Sequence, residues 1–178
     1  MTLKYLHNIH RLNHYIQSAS IILCLFATHS ITYADTSTDS LIAGRIIGVT
    51  DGDTVTLLDE TNNQHKIRLS AIDAPEKAQP FGNRSKQQLS DICFSQKASV
   101  EVKDKDRYGR LIGIVICDDV NANEAMLSAG MAWVYQKYAK GFSDYYALER
   151  NARAEKIGLW IDANPIPPWE WRKAKSTQ

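Results

Sequence analysis

The segment Asp51-Gly-Asp-Thr54 combines a turn signal with two carboxylates. Asp-Gly between apolar stretches is typical of a tight hairpin, which presents its acidic side chains at the end of a sheet. Hard cations such as calcium bind charged oxygen atoms, so a metal ligand in this turn is one interpretation. An ordinary turn is the alternative, because Asp and Gly favour turns for backbone reasons alone.

The segment Arg68-Leu-Ser-Ala-Ile-Asp-Ala-Pro-Glu76 carries a second group of charges. Arg68 lies within an apolar strand, where an unpaired charge is costly. Asp73 ends that strand, and Glu76 follows Pro75 on a rigid turn. Two carboxylates three residues apart at the end of a sheet can hold a cation and orient a water molecule. The alternative is an internal ion pair in which an acid neutralises Arg68.

The third charged segment, Asp106-Arg-Tyr-Gly-Arg110, places two arginines beside a tyrosine and a glycine. A guanidinium binds phosphate through two parallel hydrogen bonds and keeps its charge at any working pH. The segment therefore suits a polyanionic ligand. A solvated hairpin loop is the alternative.

The pattern of apolar residues predicts the elements that must position these segments. It predicts five strands, over residues 43–50, 54–58, 64–72, 98–103 and 111–117. It also predicts three helices: residues 83–94 with Asn83 as N-cap, a second from Asn121 to Gly130 with Asn121 and Glu124 as capping box, and residues 143–156 before Gly158. The fold class is α+β and mainly β, and the strand pattern alone does not separate a barrel from an open sheet.

The sequence indicates one domain with a short segment on each side. We predict one compact domain over residues 43–162, preceded by a flexible segment, residues 35–42. Residues 163–178 are rich in proline and tryptophan, and we predict no regular structure there. Their two tryptophans are expected to pack on the domain and their final basic residues to be solvated.

Length and charge limit the possible classes of protein. The chain has 178 residues, with 21 Lys and Arg against 20 Asp and Glu, and 44% hydrophobic residues. This composition excludes a wholly disordered chain, a collagen-like chain and a polytopic membrane protein. The balanced charge argues against a protein that holds nucleic acid mainly through a large positive field, so any polyanion contact must come from a local cluster.

Residues 1–34 have the pattern of a secretory signal peptide. Lys4 and Arg11 precede the apolar residues 19–27, and Thr32 and Ala34 fit the positions before a cleavage site. A membrane anchor is the alternative, but polar residues interrupt this stretch, whereas a span needs about 20 mostly apolar residues. We expect cleavage after Ala34 and export to the periplasm or the medium, with no membrane attachment afterwards.

Removal of residues 1–34 leaves His65 as the remaining histidine. A histidine-rich zinc centre is therefore excluded, and a Ser-His-Asp hydrolase would depend on His65 alone. Cys93 and Cys117 are the remaining cysteines. In an oxidising compartment an even pair is typical of a disulfide, and two buried free thiols are the alternative.

Together, the three charged segments resemble the staphylococcal nuclease (thermonuclease) family in their order and spacing. The likeness runs from about residue 43 to residue 160, and residues 167–172 resemble a tail of exported bacterial members. The resemblance implies an OB-type five-stranded β-barrel with three α-helices. It also implies a calcium-dependent endonuclease that cleaves DNA and RNA and leaves 3′-phosphate ends.

The resemblance also implies roles for individual residues. Asp53 and Asp73 match the carboxylate ligands of calcium, and Ala74 stands where the family offers a backbone carbonyl. Arg68 and Arg110 match the two catalytic arginines.

The remaining positions in the family pattern concern the base and the substrate. Glu76 matches the residue usually assigned as general base, and Tyr108 matches a tyrosine that contacts substrate. Tyr135 and Tyr138 are further candidates for substrate contact. The chain departs from the family after Glu76, where the expected lysine-bearing loop is reduced to residues 77–82.

A non-catalytic module is the main alternative function, because OB-type barrels commonly bind oligonucleotides without cleaving them. A degenerate member would be expected to lose Arg68, Glu76 or Arg110, and all three are present. A purely structural calcium-binding domain leaves the two arginines unexplained. We expect a monomer with DNA and RNA as substrates and no stable protein partner.

Overall fold

Five long strands close into a barrel in the structure, a computed structural model that describes residues 40–177. The five long strands are β1 (Ser40–Asp51), β2 (Thr54–Asp59), β3 (Gln64–Leu69), β5 (Lys97–Lys105) and β6 (Leu111–Cys117). Three strands of two residues each are also present: β4 (Ile72–Asp73), β7 (Val120–Asn121) and β8 (Trp133–Val134). Antiparallel pairs join β3, β2, β1, β5 and β6 in that order, and a parallel pairing of β3 with β6 closes the ring. The predicted five-stranded barrel is confirmed.

Apolar side chains from each of the five strands fill the barrel. Ile46, Leu57, Ile67, Val100 and Val115 have no exposed surface. Burying one such side chain contributes about 1.5–3 kcal/mol relative to leaving it exposed. The core therefore holds the strand ends, where the charged segments lie, in fixed positions.

Four α-helices are present in the described residues: α1 (Gly82–Cys93), α2 (Ala122–Ser128), α3 (Tyr145–Ala154) and α4 (Pro168–Lys175). The prediction of three helices, with an irregular tail, is therefore wrong for α4. Pro168 is at the first helical position, where its missing N–H is tolerated, and the basic residues of the last turn suit the helix dipole. Within residues 40–177, no helix is long and apolar enough to cross a membrane.

The limits of several elements differ from the prediction. β1 begins at Ser40, which pairs with Val102, so residues 40–42 are part of a strand rather than of a flexible segment. β3 ends at Leu69 because Ala71 has a φ of 60°, which turns the chain before β4. The predicted signal peptide and residues 35–39 lie outside the described residues.

One of the two predicted N-cap residues, Asn121, begins a helix in the structure, and the other, Asn83, does not. Phe81, not Asn83, is the N-cap of α1, and it makes no side-chain cap hydrogen bond. Asn121 is confirmed as the N-cap of α2, since its Oδ1 accepts from the backbone N–H of Glu124 at 3.3 Å. In place of the reciprocal bond of a full capping box, Oε1 of Glu124 accepts from Nδ2 of Asn121 at 2.8 Å. α3 is shorter than predicted by two residues at each end.

Cys93 and Cys117 are joined in the structure, with their Cα atoms 5.3 Å apart. Cys93 ends α1 and Cys117 ends β6, so the link ties the first helix to the barrel. Both residues are fully buried. Formation of this disulfide in the protein in solution stays a prediction.

The barrel register brings distant parts of the sequence together. Arg68 on β3 pairs with Thr54 on β2 and, across the closing pairing, with Ile112 on β6. Asp53 immediately precedes β2, and Arg110 immediately precedes β6. The ends of these strands therefore gather around Arg68.

Candidate active site

One open cleft contains the charged residues that the sequence analysis singled out. The cleft is lined by Asp53, Arg68, Asp73, Ala74, Glu76, Tyr108 and Arg110, among others. These residues come from the β1–β2 turn, from β3, from β4 with the loop after it, and from the β5–β6 loop. The structure thus brings together side chains from three separate parts of the sequence.

Asp53 is buried in the turn between β1 and β2. Its Oδ1 accepts a hydrogen bond from Thr54 at 2.8 Å, and its Oδ2 accepts from the backbone N–H of Ala74 at 3.2 Å. The preceding Gly52 packs so closely on α1 that a Cβ there would lie 1.8 Å from Oγ of Ser85. A larger residue at position 52 would therefore force the turn that carries Asp53 away from α1 and Ala74.

Arg68 connects the two buried carboxylates of the cleft. Its Nη1 donates to Oδ2 of Asp53 at 2.7 Å, and its Nη2 donates to Oδ1 of Asp73 at 3.0 Å. Burial alone would lower the pKa of Arg68, but the charges of Asp53 and Asp73 outweigh it and raise the pKa. Arg68 is therefore a fully charged group, and the ion pair considered in the sequence analysis is present within the cleft.

Asp73 is the most deeply buried of the acids in the cleft, with 1% of its surface exposed. Burial raises its pKa, hydrogen bonds from Arg172 lower it, and the charge of Asp53 raises it again, for a net increase. Burial, followed by the charge of Asp53, also raises the pKa of Asp51 to about 6. Burial and the repulsion between neighbouring carboxylates therefore disfavour the ionised forms of Asp51 and Asp73.

The donor atoms in this part of the cleft suit a hard divalent cation. Asp53 and Asp73 supply carboxylate oxygens, and Ala74 lies between Asp73 and Pro75 on the cleft wall. Calcium is bound in proteins by carboxylates, backbone carbonyls and water. Within residues 40–177, no group of three or more His, Cys, Asp or Glu side chains has the arrangement of a complete metal site, so main-chain oxygens and water would have to complete the coordination.

Glu76 reaches the cleft from the loop that follows β4. Its side chain is 41% exposed, and its Oε1 accepts a hydrogen bond from Nη1 of Arg172 at 2.8 Å. Its backbone N–H donates to Oε1 of Gln79 at 3.1 Å, which fixes the loop. Glu76 is therefore accessible to solvent and is linked to the buried Asp73 through Arg172.

Arg172 belongs to the cleft, although the sequence analysis predicted the basic residues of the tail to be solvated. Its Nη2 donates to Oδ2 of Asp73 at 2.7 Å, and its Nη1 contacts Glu76. That prediction is wrong for Arg172. Pro168 at the first helical position and basic residues in the last turn were the available signals for α4, but no local signal indicates where Arg172 reaches.

Arg110 also lines the cleft, in the loop between β5 and β6. Its Nε donates to Oδ2 of Asp106 at 2.7 Å, while the backbone N–H groups of Tyr108 and Arg110 donate to Oδ1 of Asp106. Burial would raise the pKa of Asp106, but these hydrogen bonds, that from the Arg110 side chain above all, give a net decrease. Asp106 thus orders the loop and orients the Arg110 guanidinium.

Aromatic side chains line two further parts of the cleft. Tyr108 is 70% exposed, and Arg110 lies over its ring at 5.8 Å. Beyond Glu76, Tyr138 packs edge-on against Tyr135 with ring centroids 5.0 Å apart, and Tyr135 stacks on Trp169 at 5.5 Å. All three tyrosines named in the sequence analysis therefore face the same cleft.

Comparison with known proteins agrees with the geometry of the cleft. A family model described as "Staphylococcal nuclease homologue" matches residues 66–162. An "uncharacterized endonuclease" of Haemophilus influenzae is 43% identical over 129 residues, which cover 72% of each chain. A "micrococcal nuclease" of Shigella flexneri is 40% identical over 142 residues, 74% of this chain and 80% of the relative. An "uncharacterized endonuclease" of Escherichia coli is 42% identical over 135 residues, 75% of this chain and 87% of the relative.

Proposed function

Because the chain belongs to the staphylococcal nuclease family, we propose that it is a calcium-dependent endonuclease that hydrolyses phosphodiester bonds of DNA and RNA and leaves 3′-phosphate ends. This proposal depends above all on one observation: the guanidinium of Arg68 binds the carboxylates of both Asp53 and Asp73. Glu76 and Arg110 line the same cleft. The cleft therefore offers three carboxylates for a cation and a water molecule, and two guanidiniums for phosphate oxygens. This combination suits a phosphate diester.

Asp53, Asp73 and the backbone carbonyl of Ala74 would hold the calcium ion. This donor set consists of oxygen atoms, which calcium prefers, and a bound divalent cation would relieve the repulsion between the neighbouring carboxylates of Asp51, Asp53 and Asp73. When bound, calcium supplies positive charge that neutralises a non-bridging phosphate oxygen and aids nucleophilic attack.

Glu76 is proposed as the base. Its carboxylate is partly exposed, so it can accept a hydrogen bond from a water molecule and hold that water beside the phosphorus. As the water oxygen bonds to phosphorus, Glu76 accepts the proton. The bond from phosphorus to the 5′ oxygen breaks, which gives a 3′-phosphate and a 5′-hydroxyl.

The two arginines act on the charge that grows on the phosphate oxygens during attack. Arg68 contacts Asp53 and Asp73, and Arg110 lines the same cleft. Loss of one such donor typically costs about 2.7–4 kcal/mol of transition-state stabilisation. Neither guanidinium gives up a proton at ordinary pH, so no side chain is assigned as the acid that protonates the 5′ oxygen.

The test is a cleavage assay with the purified full chain on single-stranded DNA and on RNA. We expect cleavage with calcium, no cleavage with chelator, and products that accept a 5′-phosphate directly but need 3′-phosphatase treatment before 3′ extension. Glu76→Gln, purified in parallel, should be nearly inactive and thus excludes a contaminating nuclease. Calcium-dependent binding without cleavage would overturn the proposal in favour of a non-catalytic module.

We also propose that the protein is exported as a monomer after cleavage behind Ala34. The proposal is based on the basic, apolar and small-residue regions of residues 1–34. N-terminal sequencing of protein from the periplasm and medium should give Asp35 as the first residue. Protein that keeps residues 1–34 and stays with the membrane would contradict it.

A further inference from the structure

The C-terminal helix α4 is docked beside the loop that carries Glu76. The Trp169 ring stacks on Tyr135, with planes 7° apart. Nε2 of Gln79 donates to the backbone carbonyl of Ile166 at 2.6 Å, and Oε1 of the same buried amide accepts from the N–H of Glu76. One side chain therefore links the backbone of Glu76 to the chain segment that leads into α4.

Arg172 projects from α4 onto two acids at once. Its Nη1 lies 2.8 Å from Oε1 of Glu76 and 3.2 Å from Oδ1 of Asp73, and its Nη2 lies 2.7 Å from Oδ2 of Asp73. A guanidinium is a rigid planar fork, so these three hydrogen bonds fix the Glu76 carboxylate relative to Asp73. In the described residues, no other side-chain hydrogen bond to the Glu76 carboxylate is found.

Hydrogen bonds from arginines occupy most acceptor positions of the Asp73 carboxylate. A carboxylate offers about four acceptor positions on its two oxygens. Arg68 and Arg172 together fill three of them. A cation that binds Asp73 therefore shares that carboxylate with the positive charge of Arg172, which opposes its binding.

We propose that Arg172 is a positioning residue that orients Glu76 for proton transfer and, through its charge, weakens calcium binding at Asp73. This proposal rests on the proposed function. It extends the active site to the C-terminal helix, beyond the residues that the family model matches. The loop after Glu76 is short, and two contacts restrain Glu76. Gln79, within the loop, accepts from the backbone N–H of Glu76, and Arg172, from α4, donates to its carboxylate.

Two expected effects of removing Arg172, one on kcat and one on calcium binding, distinguish a positioning residue from a merely structural one. Removing the guanidinium should lower kcat, because Glu76 loses its fixed orientation, and should tighten calcium binding, because a like charge is removed. Loss of a structural contact would lower both activity and calcium affinity. The expected effects therefore have opposite signs.

The test uses the full chain with Arg172→Gln, Arg172→Lys and the control Lys173→Gln. Lys173 is an exposed residue of the same helix, so the control changes the charge equally without touching the cleft. kcat and KM are measured on single-stranded DNA at saturating calcium. The calcium Kd is measured by calorimetry without nucleic acid, and circular dichroism checks folding.

We expect Arg172→Gln to lower kcat about 10–100-fold, the usual effect of losing a residue that orients a functional group, with KM unchanged. Its calcium Kd should fall about tenfold, since a positive charge within a few ångströms has been removed. Arg172→Lys keeps the charge but not the fork, so its Kd should stay near the wild-type value while kcat stays reduced. Lys173→Gln should match the wild type in all three measurements.

An unchanged kcat in Arg172→Gln overturns the proposal, as does weaker calcium binding. A raised KM with unchanged kcat also overturns it, because Arg172 would then act by binding substrate. If the wild type fails to cleave with calcium, the proposed function has failed, and the role of Arg172 as a positioning residue fails with it. In that case the calcium Kd still decides whether Arg172 opposes a cation at Asp73.

Discussion

Nη1 of Arg68 lies 2.7 Å from Oδ2 of Asp53, the residue before Thr54, with which Arg68 pairs across β2 and β3. The same guanidinium also binds Asp73. The arginine proposed to stabilise the transition state is therefore also the counter-ion of two buried acids. Its replacement should affect both stability and catalysis.

Arg68→Ala should lower the free energy of unfolding by about 3–5 kcal/mol in the presence of chelator, the usual cost of leaving a buried charge without its partner. Adding calcium should raise the melting temperature of this variant more than that of the wild type, because Asp53 and Asp73 have lost their counter-ion. Thermal unfolding with and without calcium measures both effects.

Arg110→Ala is the matched comparison for Arg68→Ala, because Asp106 stays partly accessible to water after the change. We expect a loss of kcat of about 10²–10³-fold with little change in melting temperature. Equal melting temperatures for the two arginine variants would contradict the assignment of Arg68 as the counter-ion.

Asp106→Asn should lower kcat about tenfold, as expected for a residue that orients a catalytic group. The amide can still accept from the loop N–H groups, but it no longer offers a charged partner to Nε of Arg110. The KM for single-stranded DNA should change little. A normal kcat would show that Arg110 needs no orientation by Asp106.

Local signals in the sequence predicted the strands and the start of α2 because they act over a few residues. Closure of the strands into a barrel was expected from the family resemblance, not from these signals. The Asp-Gly turn produces the pairing of Asp51 with Thr54, and the N-cap Asn121 begins α2. Alternating apolar residues gave the strands of the ring. The fold was predictable because each of these signals agrees with the burial that the barrel imposes.

The tail could not be predicted in the same way. Several prolines suggested irregular structure, yet Pro168 begins a helix whose tryptophan at position 169 stacks on Tyr135. The contacts of Arg172 with Asp73 and Glu76 join residues about a hundred positions apart. Such contacts depend on the docking of α4, which no spacing of residues in the sequence reveals.

The turn between β2 and β3 should show a pH-dependent contribution to stability. Hydrogen bonds to Asp59 from His65, then from Thr61 and Asn63, lower the pKa of Asp59 below its ordinary value of 3.8. Because the pKa is lower in the folded state, this stabilisation is present above pH 4 and is lost as the pH falls through the folded-state pKa. Asp59→Asn should therefore lower the melting temperature at pH 7 and have a smaller effect as the pH falls below 4, and a difference that is constant with pH would contradict this.

The link between Cys93 and Cys117 should stabilise the protein by constraining its unfolded state. The loop that it closes has a sequence separation of 24, which corresponds to about 3 kcal/mol in the chain-entropy model. The double variant Cys93→Ala/Cys117→Ala should lose about this amount in urea unfolding and become insensitive to reductant. Two reactive thiols in denatured protein from its native compartment would contradict the bridge.

Tyr138 should contribute to substrate binding rather than to the chemical step. Its ring is 55% exposed, is supported edge-on by Tyr135, and lies beside the Lys137 ammonium at 5.3 Å. Stacking of a base on an aromatic ring is worth about 1–3 kcal/mol, so Tyr138→Ala should raise the KM for single-stranded DNA about tenfold and leave kcat unchanged.

Tyr138→Phe separates stacking from hydrogen bonding by the phenol. It keeps the aromatic face and the contact with Tyr135, so its KM should stay close to that of the wild type. If Tyr138→Phe and Tyr138→Ala raise KM equally, the hydroxyl rather than the ring binds substrate. Because a base stacks on Tyr138 only where it is unpaired, Tyr138→Ala should also weaken cleavage of single strands more than that of duplex DNA.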